Sequence, residues 1–208
     1  MTPARPAEPD APRPLRADAR RNRDAILRAA RETFEEEGVL ASLDGIALRA
    51  GVGNATLYRN FPTRDDLLAA VLASSIETAL SAADELATTL GPRDALAEWL
   101  VRLTWQLRTW HDLPACVAGA EHDPDSPVAS ACDPLRARTG RLLDAAKTAD
   151  AVPAAVTVDE TFELVTVLSW GVDRFGDDAD TARRRVEVGT AGLFAPDPRR
   201  TPGTRAGS

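Results

Sequence analysis

The chain has 208 residues, 44% of them hydrophobic and 27% charged, with a formal net charge of −7, which suits one small module plus one larger globular domain. No run approaches the roughly 20 apolar residues that cross a bilayer, and the Pro-rich start lacks the apolar stretch of a secretory signal, so the chain reads as neither membrane-embedded nor exported. Its two cysteines, Cys116 and Cys132, have no metal-ligand spacing and require no disulfide, which fits a reducing cytoplasm.

From the N-terminus, residues 1–19 read as a disordered arm, because Pro3, Pro6, Pro9, Pro12 and Pro14 oppose a helix and leave little to bury. A first helix is predicted from about Arg20 to Glu37, where Ile26, Ala29, Ala30, Thr33 and Phe34 recur at three- and four-residue steps. Gly38 suits its left-handed cap, with Val39 packing back on the helix end. Ser42 caps a short second helix that ends near Ala50; Gly51 closes it, and a third covers about Asn54 to Asn60. Pro62 stops the third helix. Thr63, with Asp66 three residues on, opens a fourth that carries Leu67, Leu68, Val71 and Leu72 towards Leu90. Further helices are predicted over about 92–110, around Ala115, over 128–150 with Pro134 starting or kinking it, and over 158–175 and 178–194. The Pro- and Gly-rich stretch 196–208 reads as a disordered tail, and no segment alternates like a strand. The expected fold is therefore all-α: an N-terminal three-helix helix-turn-helix domain over 20–78, then a helical bundle over 79–195.

An acidic chain is a poor candidate for DNA unless its charge is segregated. Residues 1–64 hold 11 arginines against nine carboxylates, whereas 65–208 hold 14 basic groups against 23 carboxylates. Seven arginines crowd into 13–31, opposed only by Asp18 and Asp24. The positive charge thus lies beside the short second and third helices.

Those two helices, with the sequence SLDGIALRAGVGNATLYRNFPTR over 42–64, meet the demands of a helix-turn-helix. Ala47 is small where the helices approach, Gly51 permits the turn, and Ile46, Ala50, Val52 and Leu57 supply a shared core. Asn54, Ala55, Thr56, Tyr58 and Asn60 are left on the outward side of the third helix, free to enter a major groove. Tyr58, Thr56 and Thr63 can hydrogen-bond phosphates, and Arg59 and Arg64 can neutralise them.

Residues 20–78 resemble the N-terminal domain of the TetR family of bacterial regulators. The resemblance rests on Arg23–Phe34 followed by Gly38, then Leu43-Asp44, Ile46-Ala47 and Ala50-Gly51-Val52. Its strongest part is Thr56-Leu57-Tyr58-Arg59-Asn60-Phe61-Pro62, leading into Asp66-Leu67-Leu68. Carried onto this sequence, the DNA-contacting set is Ser42, Gly53, Asn54, Ala55, Thr56, Tyr58, Arg59, Asn60, Thr63 and Arg64. Gly53, Ala55 and Asn60 depart from the commonest family residues, and Gly45 is a costly choice inside a helix, by about 1 kcal/mol. The resemblance also implies a homodimer built on the last two long helices. Phe162, Trp170, Ala182, Val186, Gly189 and Leu193 are the expected interface residues.

On the helix over 92–110, Leu96, Trp99, Leu100, Leu103, Leu107 and Trp110 share one arc while Trp105 lies opposite, as expected of a central or cavity-lining helix. Trp99, Leu103 and Trp110 are the expected ligand-pocket residues, with plain core packing as the competing explanation. His111 and His122 flank Cys116 beside the acidic run Glu121–Asp125, but they form no closed ligand set, so no metal or other cofactor is expected. No phosphate loop or nucleophile–base pair is present, so an enzyme is not expected. The expectation is a cytoplasmic homodimeric repressor that leaves a pseudo-palindromic double-stranded operator when a small-molecule effector binds. The alternative is a helical ligand-binding or enzymatic protein that does not use DNA.

Overall fold

The computed structural model describes residues 13–120, 123 and 125–195. Among these residues every regular element is helical: α1 (Arg13–Glu37), α2 (Leu43–Arg49), α3 (Asn54–Asn60), α4 (Arg64–Thr89), α5 (Pro92–Leu107), α6 (Leu113–Ala120), α7 (Pro127–Thr148), α8 (Val158–Phe175), α9 (Ala179–Gly189), and a closing 3-10 turn, Ala191–Leu193. Residues 1–12 of the arm expected over 1–19, and the tail over 196–208, fall outside the described residues.

The first helix begins seven residues earlier than the proline count suggests. Pro14 sits in its first turn, where a missing amide hydrogen has no partner to lose, so it opens the helix rather than preventing it. Downstream, α2 is capped by the Ser42 hydroxyl, which accepts from the Gly45 amide at 3.4 Å. At the start of α4 the Thr63 hydroxyl accepts from the Asp66 amide at 3.1 Å while the Asp66 carboxylate accepts from the Thr63 amide at 2.9 Å. The last helix ends at Gly189, short of the expected 194, and the chain tightens into the 3-10 turn.

Ile26, Phe34, Ile46, Leu57 and Phe61 form the buried centre of the first three helices. α4 ties this module to the bundle, packing against α1 and against α5 and α7. Its most apolar 18 residues average a hydropathy of 1.4, enough by length and composition for a membrane span. Leu67, Leu68, Val71, Leu72 and Ile76 are instead buried within the protein, as in a core helix. α5 is central, touching α4, α7, α8 and α9 and burying Leu96, Trp99, Leu100, Leu103 and Leu107. The Trp99 indole donates to the Thr139 hydroxyl at 2.9 Å, and that hydroxyl donates to the Leu135 carbonyl at 2.9 Å. A buried polar group is thereby satisfied without water.

A second set of contacts joins the two modules behind α5. Trp110 packs its ring 5.8 Å from that of Phe34 in α1. The Val39 amide donates to the His111 carbonyl at 3.1 Å. Gly38, at φ +84°, lies so close that an added Cβ would stand 3.1 Å from the His111 carbonyl oxygen.

Candidate nucleic-acid interface

The turn between α2 and α3 is short because Gly51 adopts φ +68° and reverses the chain at once. The Val52 amide then reaches back to the Ala47 carbonyl at 3.0 Å, fixing the crossing of the two helices. Ile46, Ala47 and Leu57 are buried at that crossing, with Ala50 and Val52 half-buried. The outward side carries Gly53, Asn54, Ala55, Tyr58 and Arg59, all exposed, with Thr56 and Asn60 half-buried beside them. A seven-residue helix held on a rigid crossing and exposing polar side chains has the shape that enters a major groove.

Not every member of the expected set is equally free. The Asn54 side-chain amide donates to the Asp44 carboxylate at 2.8 Å, tying the start of α3 to α2. Asn60 donates to the Thr56 carbonyl at 2.8 Å, and Arg59 donates to the Thr56 hydroxyl at 3.0 Å. Ser42 and Thr63 use their hydroxyls as helix caps. Arg64, expected to neutralise phosphate, donates instead to the Val39 carbonyl at 2.8 Å and the Ala41 carbonyl at 2.7 Å, closing the turn between α1 and α2. Tyr58 is exposed and makes none of these internal bonds. In the Arg-rich first part of α1, Arg23 lies over the Phe61 ring at 4.4 Å, Arg21 pairs with Asp18, and Arg20 and Arg28 are exposed. Arg49 pairs with Glu36 at 2.5 Å, which holds the Glu36 carboxyl below its usual range.

The expected pocket residues separate. Leu103 and Trp110 are packed in the core, whereas Trp99 also borders a cleft of about 470 Å³ between α4, α5 and α9. Trp105, opposite the packed arc of α5, lines the same cleft and remains 38% exposed.

The expected interface set needs correction. Phe162, Ala182 and Val186 are buried in the protomer itself, because they lie on the sides of α8 and α9 that meet the bundle, so they are unavailable to a partner. Trp170 is 50% exposed, Gly189 is exposed but pressed against Leu168 in α8, and Leu193 is half-buried. The exposed large apolar groups of α8 and α9 are Val167, at 65%, Trp170, Phe175 and Val188, at 59%, and composition alone does not distinguish these two valines from core valines. The three- and four-residue spacing of Glu163, Val167, Trp170 and Arg174 was the available signal.

His111 Nδ1 donates to the Asp173 carboxylate at 3.1 Å, and the Asp112 amide donates to the other oxygen of Asp173 at 3.2 Å. The hydrogen bond and charge of Asp173 hold the imidazole above its usual range. Burial pushes the Cys116 thiol up, so this cysteine is not an activated thiolate. Glu121 and His122 lie outside the described residues.

Residues 26–71 match the family model described as bacterial regulatory proteins, tetR family, and residues 91–195 match that of the C-terminal domain of SbtR-like transcriptional regulators. Curated HTH-type transcriptional regulators from Staphylococcus aureus strains are 44% identical over 54 residues, or 26% of this chain; the match spans 29% of their length. A TetR transcriptional regulator from Streptomyces coelicolor is 28% identical, covering 84% of this chain and 99% of its own, with a TM-score of 0.55. A TetR transcription regulatory protein from Mycobacterium vanbaalenii is 33% identical over 88% of this chain and 100% of its own, with a TM-score of 0.47. A TetR-family repressor from Thermus thermophilus, solved with lauroyl-CoA, is 18% identical over 87% of this chain and 100% of its own; its TM-score of 0.59 reflects the fold alone.

Proposed function

The chain belongs to the TetR family of bacterial regulatory proteins, and on that premise we propose that it is a cytoplasmic homodimeric repressor that a small molecule releases from its operator. The observation that carries this is the exposed side of α3, where Gly53, Asn54, Ala55, Tyr58 and Arg59 stand clear of the core beside α1, whose first part is rich in arginine. Tyr58 and Arg59 are the principal contacts, with Asn54, Ala55, Thr56 and Asn60 along the groove. Ser42, Thr63 and Arg64 act mainly by holding the helices that present them. Residues 20–78 then serve as the DNA-binding domain and 79–195 as the sensing and dimerising domain.

Dimerisation uses the outer faces of α8 and α9, where Val167, Trp170 and Val188 are exposed. A two-fold pair would set two recognition helices about 34–36 Å apart, one turn of B-DNA. Effector binding favours the conformation in which that spacing fails.

The test is selection of DNA sites from a random pool by the purified full chain, repeated with Tyr58→Ala over a salt series. A pseudo-palindrome should be enriched, and its affinity should fall steeply with salt. Tyr58→Ala should weaken it by about 1–3 kcal/mol if the side chain reads a base edge. Absence of enrichment at every salt concentration would refute the operator.

A further inference from the structure

We propose that the cleft between α4, α5 and the start of α9 is the effector site, and that its ligand is a flat aromatic acid. This rests on the effector-released repressor proposed above but concerns only where the effector binds and what kind of molecule it is.

The cleft exists because small side chains meet there. Ala79 and Ala82 on α4 are three residues apart, as are Ala179 and Ala182 on α9, and both pairs line the opening. Each pair therefore lies on one face of its helix. Four alanine methyl groups border an opening of about 470 Å³, within the range that holds a drug-sized molecule. Leu96, Leu100 and Leu103 fill the centre of α5, so the opening lies along the side of that helix rather than through it.

Its walls are aromatic. Trp99 is held rigidly by its bond to Thr139, and Trp105 stands at the mouth with the Arg108 guanidinium 4.3 Å from its ring centroid. An exposed indole braced from one side by a cation is an ordered stacking surface rather than a loose side chain. A planar ligand body suits that surface and the shallow alanine floor.

The charge at the rim selects an anion. Glu98 accepts from Arg102 Nε at 3.1 Å and from the two terminal nitrogens of Arg183 at 2.7 and 3.1 Å. One carboxylate thus serves two guanidinium groups, and among the described residues the terminal amino groups of Arg102 have no hydrogen-bond partner. Those groups can take a ligand carboxylate in a forked pair. Of the charged residues that line the cleft, Arg102 and Arg183 are basic and Asp180 is acidic. Gln106, which also lines the cleft, has no hydrogen-bond partner for its side chain among the described residues and supplies a further donor.

The experiment titrates the full-length protein, without DNA, with 2-naphthoate and with the neutral 2-naphthalenemethanol, following heat and tryptophan fluorescence. Naphthoate should bind saturably, with a Kd of about 1 mM or tighter, and the alcohol about fivefold or more weakly. Trp105→Ala should lower naphthoate affinity about tenfold while the thermal melt stays in place. Arg102→Met should abolish the preference for acid over alcohol yet retain alcohol binding. The site is overturned if naphthoate does not saturate, if Trp105→Ala binds it unchanged, or if acid and alcohol bind alike. Operator affinity of the ligand-free protein is measured separately. An intact operator complex with a dead cleft refutes only the site; a working cleft without any operator complex supports the site and refutes only the repressor.

Discussion

Gly38→Ala tests the joint between the DNA-binding module and the bundle, and the structure separates its cost into two parts. Gly38 adopts φ +84°, where a Cβ is strained by roughly 1–2 kcal/mol. The new methyl would also stand 3.1 Å from the His111 carbonyl oxygen and 3.2 Å from His111 Cβ. Relieving that crowding must shift a backbone carbonyl that accepts the Val39 amide at 3.1 Å, adding about 1–3 kcal/mol. The sum is roughly 2–5 kcal/mol, and at ~2–4 °C per kcal/mol for a chain of this size the melt should fall by about 4–20 °C. Gly51→Ala is the internal control. Its φ is +68°, but nothing lies within 4 Å of the added Cβ, so only the backbone part applies. Thermal unfolding followed by circular dichroism at equal protein concentration gives both values. The reasoning is refuted if Gly38→Ala costs no more than Gly51→Ala, because the close approach to His111 would then have no energetic consequence.

Leu103→Ala should destabilise by about 2–5 kcal/mol in chemical denaturation, since the residue is fully buried at the centre of α5; a loss below 1 kcal/mol would mean that the bundle closes over the vacancy. The His111–Asp173 pair should add pH dependence. Its imidazole is held above the ordinary value of 6.5, chiefly by the hydrogen bond and charge of Asp173, with Asp112 assisting and Arg174 opposing. That stabilisation is complete below 6.5 and is lost as pH rises through the raised value. Because the imidazole is largely exposed, the effect should be only a few tenths of a kcal/mol. His111→Ala should flatten the profile there, and an unchanged profile would remove His111 as its origin. Val167→Asp, on the exposed side of α8, should shift sedimentation from dimer to monomer without changing the helical content; an unaltered dimer would place the interface elsewhere.

The helix-turn-helix was legible because its determinants are local. Gly51 must reverse the chain, Ala47 must let a helix approach, and Thr63 with Asp66 must start α4, all within one short stretch whose spacing decides the geometry. The start of α1 is not legible from composition, because Pro14 reads as a breaker although the first turn of a helix tolerates it.

The sequence by itself determined the all-helical architecture, the helix-turn-helix and the exposed side of its second helix, because caps, turns and 3.6-residue periodicity act over a few residues. Only the tertiary structure decided which apolar residues meet this chain and which remain for another surface. Phe162 is buried while Val167 is exposed, a distinction set by which side of α8 the bundle covers. It likewise decided that Arg64 serves Val39 and Ala41, 25 and 23 residues away, rather than standing free. The sorting of three tryptophans followed from the same cause: Trp99 and Trp110 were packed, while Trp105 was left at the mouth of a cleft. Composition and periodicity mark a side chain as apolar or charged, but its partner is chosen by helices that meet only when the chain has folded.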